Sequence, residues 1–292
     1  MADLDLPLTL TTRPPVMVRS MTPAELEIAV EWAAEEGWNP GLHDAETFYS
    51  ADPGGFFALE ADGVVIGTIS VVRYGEEFAF AGFYILRPDL RGRGIGFALQ
   101  QQFTLPFAGD RNLGIDGVFG MQPRYARAGF LFSHRNLRFQ GRGGGTVPDG
   151  VQPLADVPIG RIIAYDRPFF PACRERFLRF FLTQPGALGS VACAPDGRIT
   201  GYGLVRPCSI GFKIGPLFAD APEIAEDLLS SLLAAVPDEP VFLDVPEPNR
   251  EALTLAERHG MVPVFGTARM YSRGIPALPL DRIYGITTFE LG

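Results

Sequence analysis

The stretch GFYILRPDLRGRGIGFAL, residues 82–99, decides the fold. An apolar run ends at Pro88, and a loop rich in glycine and arginine follows it. Beyond the loop, apolar residues recur at Ile95, Ala98 and Leu99, which is the spacing of a helix. The segment is therefore predicted to run as a strand, a glycine-rich loop and a helix, which continues to about Thr104 and is stopped by Pro106.

The loop has the chemistry of an anion site. Glycine lets the backbone turn tightly and approach a ligand closely. The N–H groups that open the following helix carry the positive end of its dipole, which attracts a phosphate. Arg91 and Arg93 add positive charge and forked donors. The sequence thus predicts a phosphate site formed by Arg91, Gly92, Arg93, Gly94, Ile95 and Gly96.

The spacing of the loop identifies one family of phosphate ligands. It is neither the dinucleotide fingerprint nor a Walker loop. The order Arg91-x-x-Gly94-x-Gly96 resembles the acyl-CoA loop of the GNAT superfamily of N-acetyltransferases. The resemblance implies that the loop holds the pyrophosphate of coenzyme A and that Ile85 and Leu86 offer backbone groups to the pantetheine arm. The alternative is an ordinary glycine-rich turn with solvated arginines.

A second motif follows in the spacing Tyr125-x-x-x-Gly129-Phe130. It resembles the Y-x-x-x-G-F signature of the same family, and the resemblance implies that Tyr125 protonates the departing thiolate. It also implies that a backbone N–H near Leu86 stabilises the oxyanion. The alternative for Tyr125 is a core aromatic on a short helix. The chain departs from the family pattern at Val118, where an asparagine is common.

The acceptor side of the predicted site is less defined. Trp38 and Asn39 lie in a loop after the first predicted helix, a region that borders the acceptor in GNAT-like folds. They are predicted to contact the substrate, with a structural turn and a core-filling Trp38 as the equal alternative. Four carboxylates are candidate general bases, and none is favoured over a solvated surface charge. They are Asp44, Glu76, Glu77 and Asp116.

The glycine-rich segment 140–150 predicts a linker between two domains. Residues 1–145 are predicted to form the catalytic, acyl-CoA-binding GNAT domain, and residues 146–292 a degenerate GNAT-like domain, because the second half faintly repeats the pattern of the first. Its corresponding loop, 216–220, has no glycine and ends in Asp220, which should repel a phosphate. Ala256 stands where the first half has its tyrosine. The tail, 284–292, is predicted to add a strand and to contact the first domain.

The predicted fold class is α+β, with two tandem GNAT-like domains, each a twisted, mixed, mostly antiparallel sheet flanked by helices. The 292 residues are 47% hydrophobic, which supports full cores. A net charge of −9 without a basic patch argues against nucleic-acid binding. The three cysteines show no C-x-x-C pair, and neither a secretory signal nor a membrane-spanning run is found. A cytoplasmic protein without a metal is therefore expected.

These expectations combine into an N-acetyltransferase that uses acetyl-CoA as co-substrate. The acceptor would be a small-molecule amine or a peptide amine that attacks the thioester directly in a ternary complex. A non-catalytic acyl-CoA sensor shares the loop and differs at the acceptor pocket. A purely structural two-domain interaction protein is the third possibility.

Overall fold

The computed structural model describes residues 5–292, and these form one α+β fold. The helices are α1 (Pro23–Glu35), α2 (Asp44–Ala51), α3 (Ile95–Leu99), α4 (Leu105–Ala108), α5 (Gln122–Arg127), α6 (Ile159–Asp166), α7 (Glu175–Phe181), α8 (Pro222–Ala234) and α9 (Arg250–Arg258). Within this part of the chain, no helix is both long enough and apolar enough to cross a bilayer.

The strands belong to one 14-stranded sheet in the order β1-β2-β3-β4-β5-β6-β13-β7-β12-β11-β10-β9-β8, with β14 paired to β11. They are β1 (Leu8–Leu10), β2 (Val16–Ser20), β3 (Phe56–Ala61), β4 (Val64–Tyr74), β5 (Phe78–Leu86), β6 (Asn112–Val118), β7 (Leu131–Arg142), β8 (Val151–Pro153), β9 (Leu188–Cys193), β10 (Ile199–Pro207), β11 (Phe212–Ala219), β12 (Pro240–Pro246), β13 (Val262–Tyr271) and β14 (Ile283–Gly285). The predicted fold class, a mixed and mostly antiparallel sheet with flanking helices, is confirmed.

The helix after the glycine-rich loop is longer than the sequence predicts. Pro106 was expected to stop it, but a π-helical turn at Gln100–Thr104 leads into α4. In that turn the N–H of Leu105 donates to the carbonyl of Gln100, five residues back. Pro106 then falls in the first turn of α4, where a missing N–H is tolerated. The helical segment therefore continues to Ala108.

The two halves of the chain exchange strands. Strand β13 of the second half lies between β6 and β7 of the first, in antiparallel register from Thr267 opposite Val118 to Tyr271 opposite Gly114. Strand β7 in turn pairs with β12 of the second half. Residues 140–142 were predicted to lie in the linker, but all three belong to β7. Neither half completes its sheet without a strand from the other.

A cleft opens in the first half where β5 and β6 separate. The two strands pair in parallel from Phe78 opposite Asn112 to Ala81 opposite Ile115, and no further. At that point β5 bulges, since Phe83 has a φ of +47° and its carbonyl accepts from Thr68 Oγ1 at 2.7 Å. Beyond Ala81, β5 follows β4 while β6 follows β13, and the sheet is open between them.

The equivalent cleft of the second half is filled. Strands β11 and β12 also pair in parallel, and their pairing stops after Ile214 opposite Leu243. Beyond it β14 pairs with β11, with Leu217 opposite Gly285. The N–H of Ile286 donates to Asp244 O of β12 at 2.9 Å. The predicted extra strand in the tail therefore exists, and it occupies the second cleft.

The tail then continues into the first half, as the sequence predicts. Every residue from Ile283 to Gly292 is buried. The hydroxyl of Tyr74 donates to Leu291 O at 3.2 Å. At Gly82 of β5, a Cβ atom would overlap the carbonyl oxygen of Glu290 and would lie 2.9 Å from its carbonyl carbon. Only glycine lets the tail backbone lie this close to β5.

We therefore expect Gly82→Ala to destabilise the protein by about 1–3 kcal/mol, because two backbone segments must move apart to admit one methyl group. The free energy of unfolding from urea titration measures this. Gly160→Ala is the matched control, since Gly160 lies in α6 with open space around its Cβ position. Equal stability of the two variants would contradict the close packing of the tail on β5.

Candidate active site

The open cleft between β5 and β6 is a cavity of about 710 Å³. Its wall is formed by β5, the glycine-rich loop, α3, β6, α5, β13, the loop after α1 and the tail. Most of the residues that the sequence predicts for the site lie on this wall. They are Trp38, Ile85, Leu86, Arg91, Gly92, Gly94, Ile95, Gly96 and Tyr125.

The backbone of the loop needs its glycines. Gly92 and Gly94 have φ angles of +79° and +83°, in the left-handed region that favours glycine. Gly94 caps α3, and its carbonyl accepts from the N–H groups of Phe97 and Ala98, each at 3.1 Å. The N–H groups of Ile95 and Gly96 precede these and have no partner within the helix. They belong to residues of the cavity wall and suit an anionic ligand.

Gly96 has a second, steric reason to be glycine. A Cβ atom there would overlap the hydroxyl of Tyr84 and lie 3.1 Å from its Cζ. Tyr84 lies on the cavity wall and was not singled out from the sequence. Burial, with a smaller contribution from Tyr125, raises the pKa of Tyr84 above its ordinary value. The hydroxyl therefore stays protonated and remains a hydrogen-bond donor at the start of α3.

The two loop arginines have partners within the protein. Arg91 donates from Nε to Leu86 O at 2.9 Å and forms an ion pair with Glu36. Arg93 donates to Asp89 O at 2.8 Å, and it does not line the cavity. Both side chains hold the loop in shape, so a direct contact of either one with phosphate stays a prediction.

Tyr125 stands on α5 with its ring against β6. A Cβ atom at Gly117 would lie 2.6 Å from its Cε2, so this glycine makes room for the ring. The centroid of the Phe130 ring is 5.9 Å away. Burial raises the pKa of Tyr125 to about 12. The phenol is therefore protonated at neutral pH, as a proton donor must be.

Trp38 and Asn39 have different environments. Trp38 is half-buried on the cavity wall. Asn39 is buried, and its amide donates to Ile210 O at 3.1 Å and accepts from Ile210 N at 2.8 Å. Asn39 is not among the wall residues, because its side chain joins the two halves of the chain. We therefore do not retain it as a substrate contact.

Two of the four candidate bases are occupied in ion pairs. Asp44 is buried and accepts from Arg206 at 3.2 Å and from Gly41 N at 2.7 Å. Asp116 lies on the cavity wall and forms an ion pair with Arg269 at 2.5 Å. It also accepts from Asn136 and Thr267. Both carboxylates therefore already serve as acceptors for donors within the protein.

The other two candidates, Glu76 and Glu77, are exposed in the turn between β4 and β5, and neither is on the cavity wall. His134 does not serve as a base either. Burial and the neighbouring Arg269 lower its pKa to about 3.

The second half supplies wall residues that sequence reasoning did not find. Phe265 and Thr267 come from β13, and Phe289 and Glu290 come from the tail. Glu290 is 2% exposed, and neither of its carboxylate oxygens has a hydrogen-bond partner in residues 5–292. No local pattern identifies these residues, since they are distant in sequence from the loop. Within the same residues, no group of three His, Cys, Asp or Glu side chains is close enough to hold a metal ion.

Family models match both halves of the chain. The acetyltransferase (GNAT) family matches residues 24–112, and an acetyltransferase (GNAT) domain matches residues 162–285. The two matches lie on opposite sides of the glycine-rich segment that follows β7.

Individual proteins match over almost the whole chain. The holothin acyltransferase of Pseudoalteromonas sp. (strain SANK 73390) is 31% identical over 276 residues, which cover 92% of this chain and 93% of that protein. A candidate acetyltransferase from Pyrococcus horikoshii has the same fold, with a TM-score of 0.81, 21% identity and full coverage of both chains. A tandem GNAT protein from the clavulanic acid biosynthesis pathway gives a TM-score of 0.63 at 15% identity, over 90% of this chain and 99% of its own. With two GNAT matches in succession and a relative aligned from end to end, the chain belongs to the GNAT family of acyltransferases, in the tandem form.

Proposed function

We propose that the protein is an N-acyltransferase that transfers the acetyl or a related acyl group of an acyl-CoA to a small-molecule amine by direct attack in a ternary complex. The observation that carries this proposal is the contrast between the two clefts. The cleft of the first half is open and begins at a glycine-rich helix start. The corresponding opening of the second half is filled by β14.

The length of the open cleft suits an extended thioester arm. Gly82 precedes Leu86 by four residues, which is about 13 Å along an extended strand. A ligand whose phosphates lie at the loop beyond Leu86 would therefore need an extended chain along β5 to reach Gly82. The pantetheine arm of coenzyme A is such a chain. The thioester would then lie where β5 and β6 separate.

In this proposal, groups of the chain itself assist the transfer. The wall near the separation of β5 and β6 includes Tyr125, whose raised pKa keeps a proton available for the leaving thiolate. The backbone of β5 borders the same space and is the proposed source of an N–H group for the oxyanion. Coenzyme A supplies the thioester. The protein aligns it, excludes water and moves protons.

The cavity wall offers an apolar and aromatic surface to an acceptor, which suits a small molecule. The aromatic residues of this wall include Trp38, Phe265 and Phe289. The Pseudoalteromonas relative is named for a single compound, holothin. We therefore place small amines ahead of peptide amines as the acceptor class. A non-catalytic acyl-CoA sensor would share the cleft and show no acyl transfer.

The first experiment measures release of free thiol from acetyl-CoA with a panel of aliphatic, aromatic and peptide amines. We expect release that depends on a small amine, and one coenzyme A bound per chain by calorimetry, because the second cleft is filled. Binding of coenzyme A without amine-dependent release would favour the sensor. Absence of binding would contradict both functions.

Gly96→Asp should weaken coenzyme A binding by about 100-fold or more. The new side chain collides with Tyr84 and places a negative charge beside the pyrophosphate, and such a like-charge contact costs several kcal/mol. Gly160→Asp is the control, since Gly160 is exposed and remote from the cavity. Undiminished affinity in Gly96→Asp would overturn the assignment of the loop.

Tyr125→Phe should lower kcat by about 10²–10⁴-fold, the range expected for loss of a proton donor, while coenzyme A affinity stays nearly constant. Tyr49→Phe, on α2 and away from the cavity wall, is the matched control. If Tyr125→Phe turns over like the unmodified protein, its ring serves only packing.

A further inference from the structure

Three acidic residues belong to the cavity wall, and two of them already have cationic partners. Glu36 forms an ion pair with Arg91, and Asp116 forms one with Arg269. The third is Glu290, whose two carboxylate oxygens are buried and accept no hydrogen bond from any residue in 5–292. Burying an ionised carboxylate without hydrogen-bond donors costs free energy. A bound ligand, a water molecule or a proton on Glu290 would lower that cost.

Glu290 lies at the end of the cleft where acyl transfer would occur. Its backbone rests against Gly82, at the position where β5 leaves β6. Its neighbour Phe289 is also on the cavity wall. The glycine-rich loop begins beyond Leu86, about 13 Å further along β5. Glu290 is therefore nearer to the acyl end of an acyl-CoA bound as proposed than to its pyrophosphate.

Charged groups from four other elements influence the pKa of Glu290 electrostatically. They are Asp44 of α2, Arg138 of β7, Arg206 of β10 and Lys213 of β11. Arg138 is held by Asp244 at 2.6 Å and Arg206 by Asp44 at 3.2 Å, so each of these cations already has an anion. Lys213 is different, since it is fully buried and its Nζ has no hydrogen-bond partner within residues 5–292. It is also the only lysine in the sequence.

We propose that Glu290 accepts the proton of the attacking amine and that Lys213 is a positioning residue that tunes this carboxylate. The proposal rests on the proposed acyl transfer to an amine. In the step, the amine nitrogen forms a bond to the thioester carbonyl carbon, and its proton passes to the Glu290 carboxylate. The C–S bond breaks, and the sulfur takes the proton of Tyr125. Water returns the proton from Glu290 to Tyr125, so the products are an amide and a free thiol.

The surroundings suit Glu290 to this task. Burial raises the pKa of its carboxyl group, and among the charges Lys213 acts most strongly to lower it, while Asp44 raises it. A base is most effective when its pKa lies near the working pH, above the ordinary value of a glutamate. The ionised carboxylate is the active form, so the rate must fall as pH drops through this raised pKa.

Glu290→Gln tests the proposal, because it keeps the shape of the side chain and removes the proton acceptor. We expect kcat to fall by about 100-fold or more and the acidic limb of the kcat–pH profile to disappear. The melting temperature and coenzyme A affinity should be retained. Glu290→Asp should keep the limb, and Glu76→Gln is the control, an exposed acid remote from the cavity.

Lys213→Met tests the tuning. Removing the positive charge should shift the acidic limb upward by about one pH unit, with coenzyme A affinity unchanged. A limb that stays in place would refute the role of Lys213.

The outcomes separate this inference from the proposed function. If the unmodified protein releases no thiol with any amine, the proposed function itself fails. If it turns over and Glu290→Gln retains both its rate and its pH profile, only the role of Glu290 is overturned. A variant that loses stability or coenzyme A binding together with activity also overturns it, since Glu290 would then be structural.

Discussion

The structure depends on how two parallel strand pairs come apart. In each half, a short parallel ladder ends and the two strands diverge, at Ala81 in the first half and at Ile214 in the second. Strands that separate inside a protein leave backbone N–H and C=O groups that need partners. In the second half β14 supplies them. In the first half the hydroxyl groups of Thr68 and Ser70 on β4 bind two backbone groups at the bulge of β5. The remaining opening is a cavity.

Buried ion pairs fix the two halves in register. Asp44 binds Arg206, Arg138 binds Asp244, and Asp116 binds Arg269, and each pair joins one half of the chain to the other. Burying two charges is expensive, and good geometry must offset that cost. Each of the three guanidinium groups also stacks over an aromatic ring, at 4.7–5.0 Å for Phe289, Phe80 and Phe181. These pairs accept only one arrangement of the exchanged strands, so they specify the cleft as much as they stabilise it.

Local sequence predicted the local structure of the site well. The glycine-rich loop, the helix after it and the short helix that carries Tyr125 depend on neighbours within a few residues, and the patterns gave all three. The roles of Arg91 and Asn39 depend on Glu36 and Ile210, which no local pattern connects to them. The predicted end of the helix at Pro106 was wrong for a local reason, because a π-helical turn removes the need for the missing N–H.

The sequence alone could not predict which residues of the second half line the cavity, because strand exchange brings them there. Phe265 and Thr267 reach the cavity only because β13 inserts between β6 and β7, and Glu290 reaches it only because the tail passes from one cleft to the other. The same tail thus has two effects. As β14 it fills the opening of the second half, and seven residues beyond Ile283 it contributes Glu290 to the wall of the first. In this fold, one uninterrupted buried segment both fills the second cleft and completes the wall of the first, so the two features depend on each other.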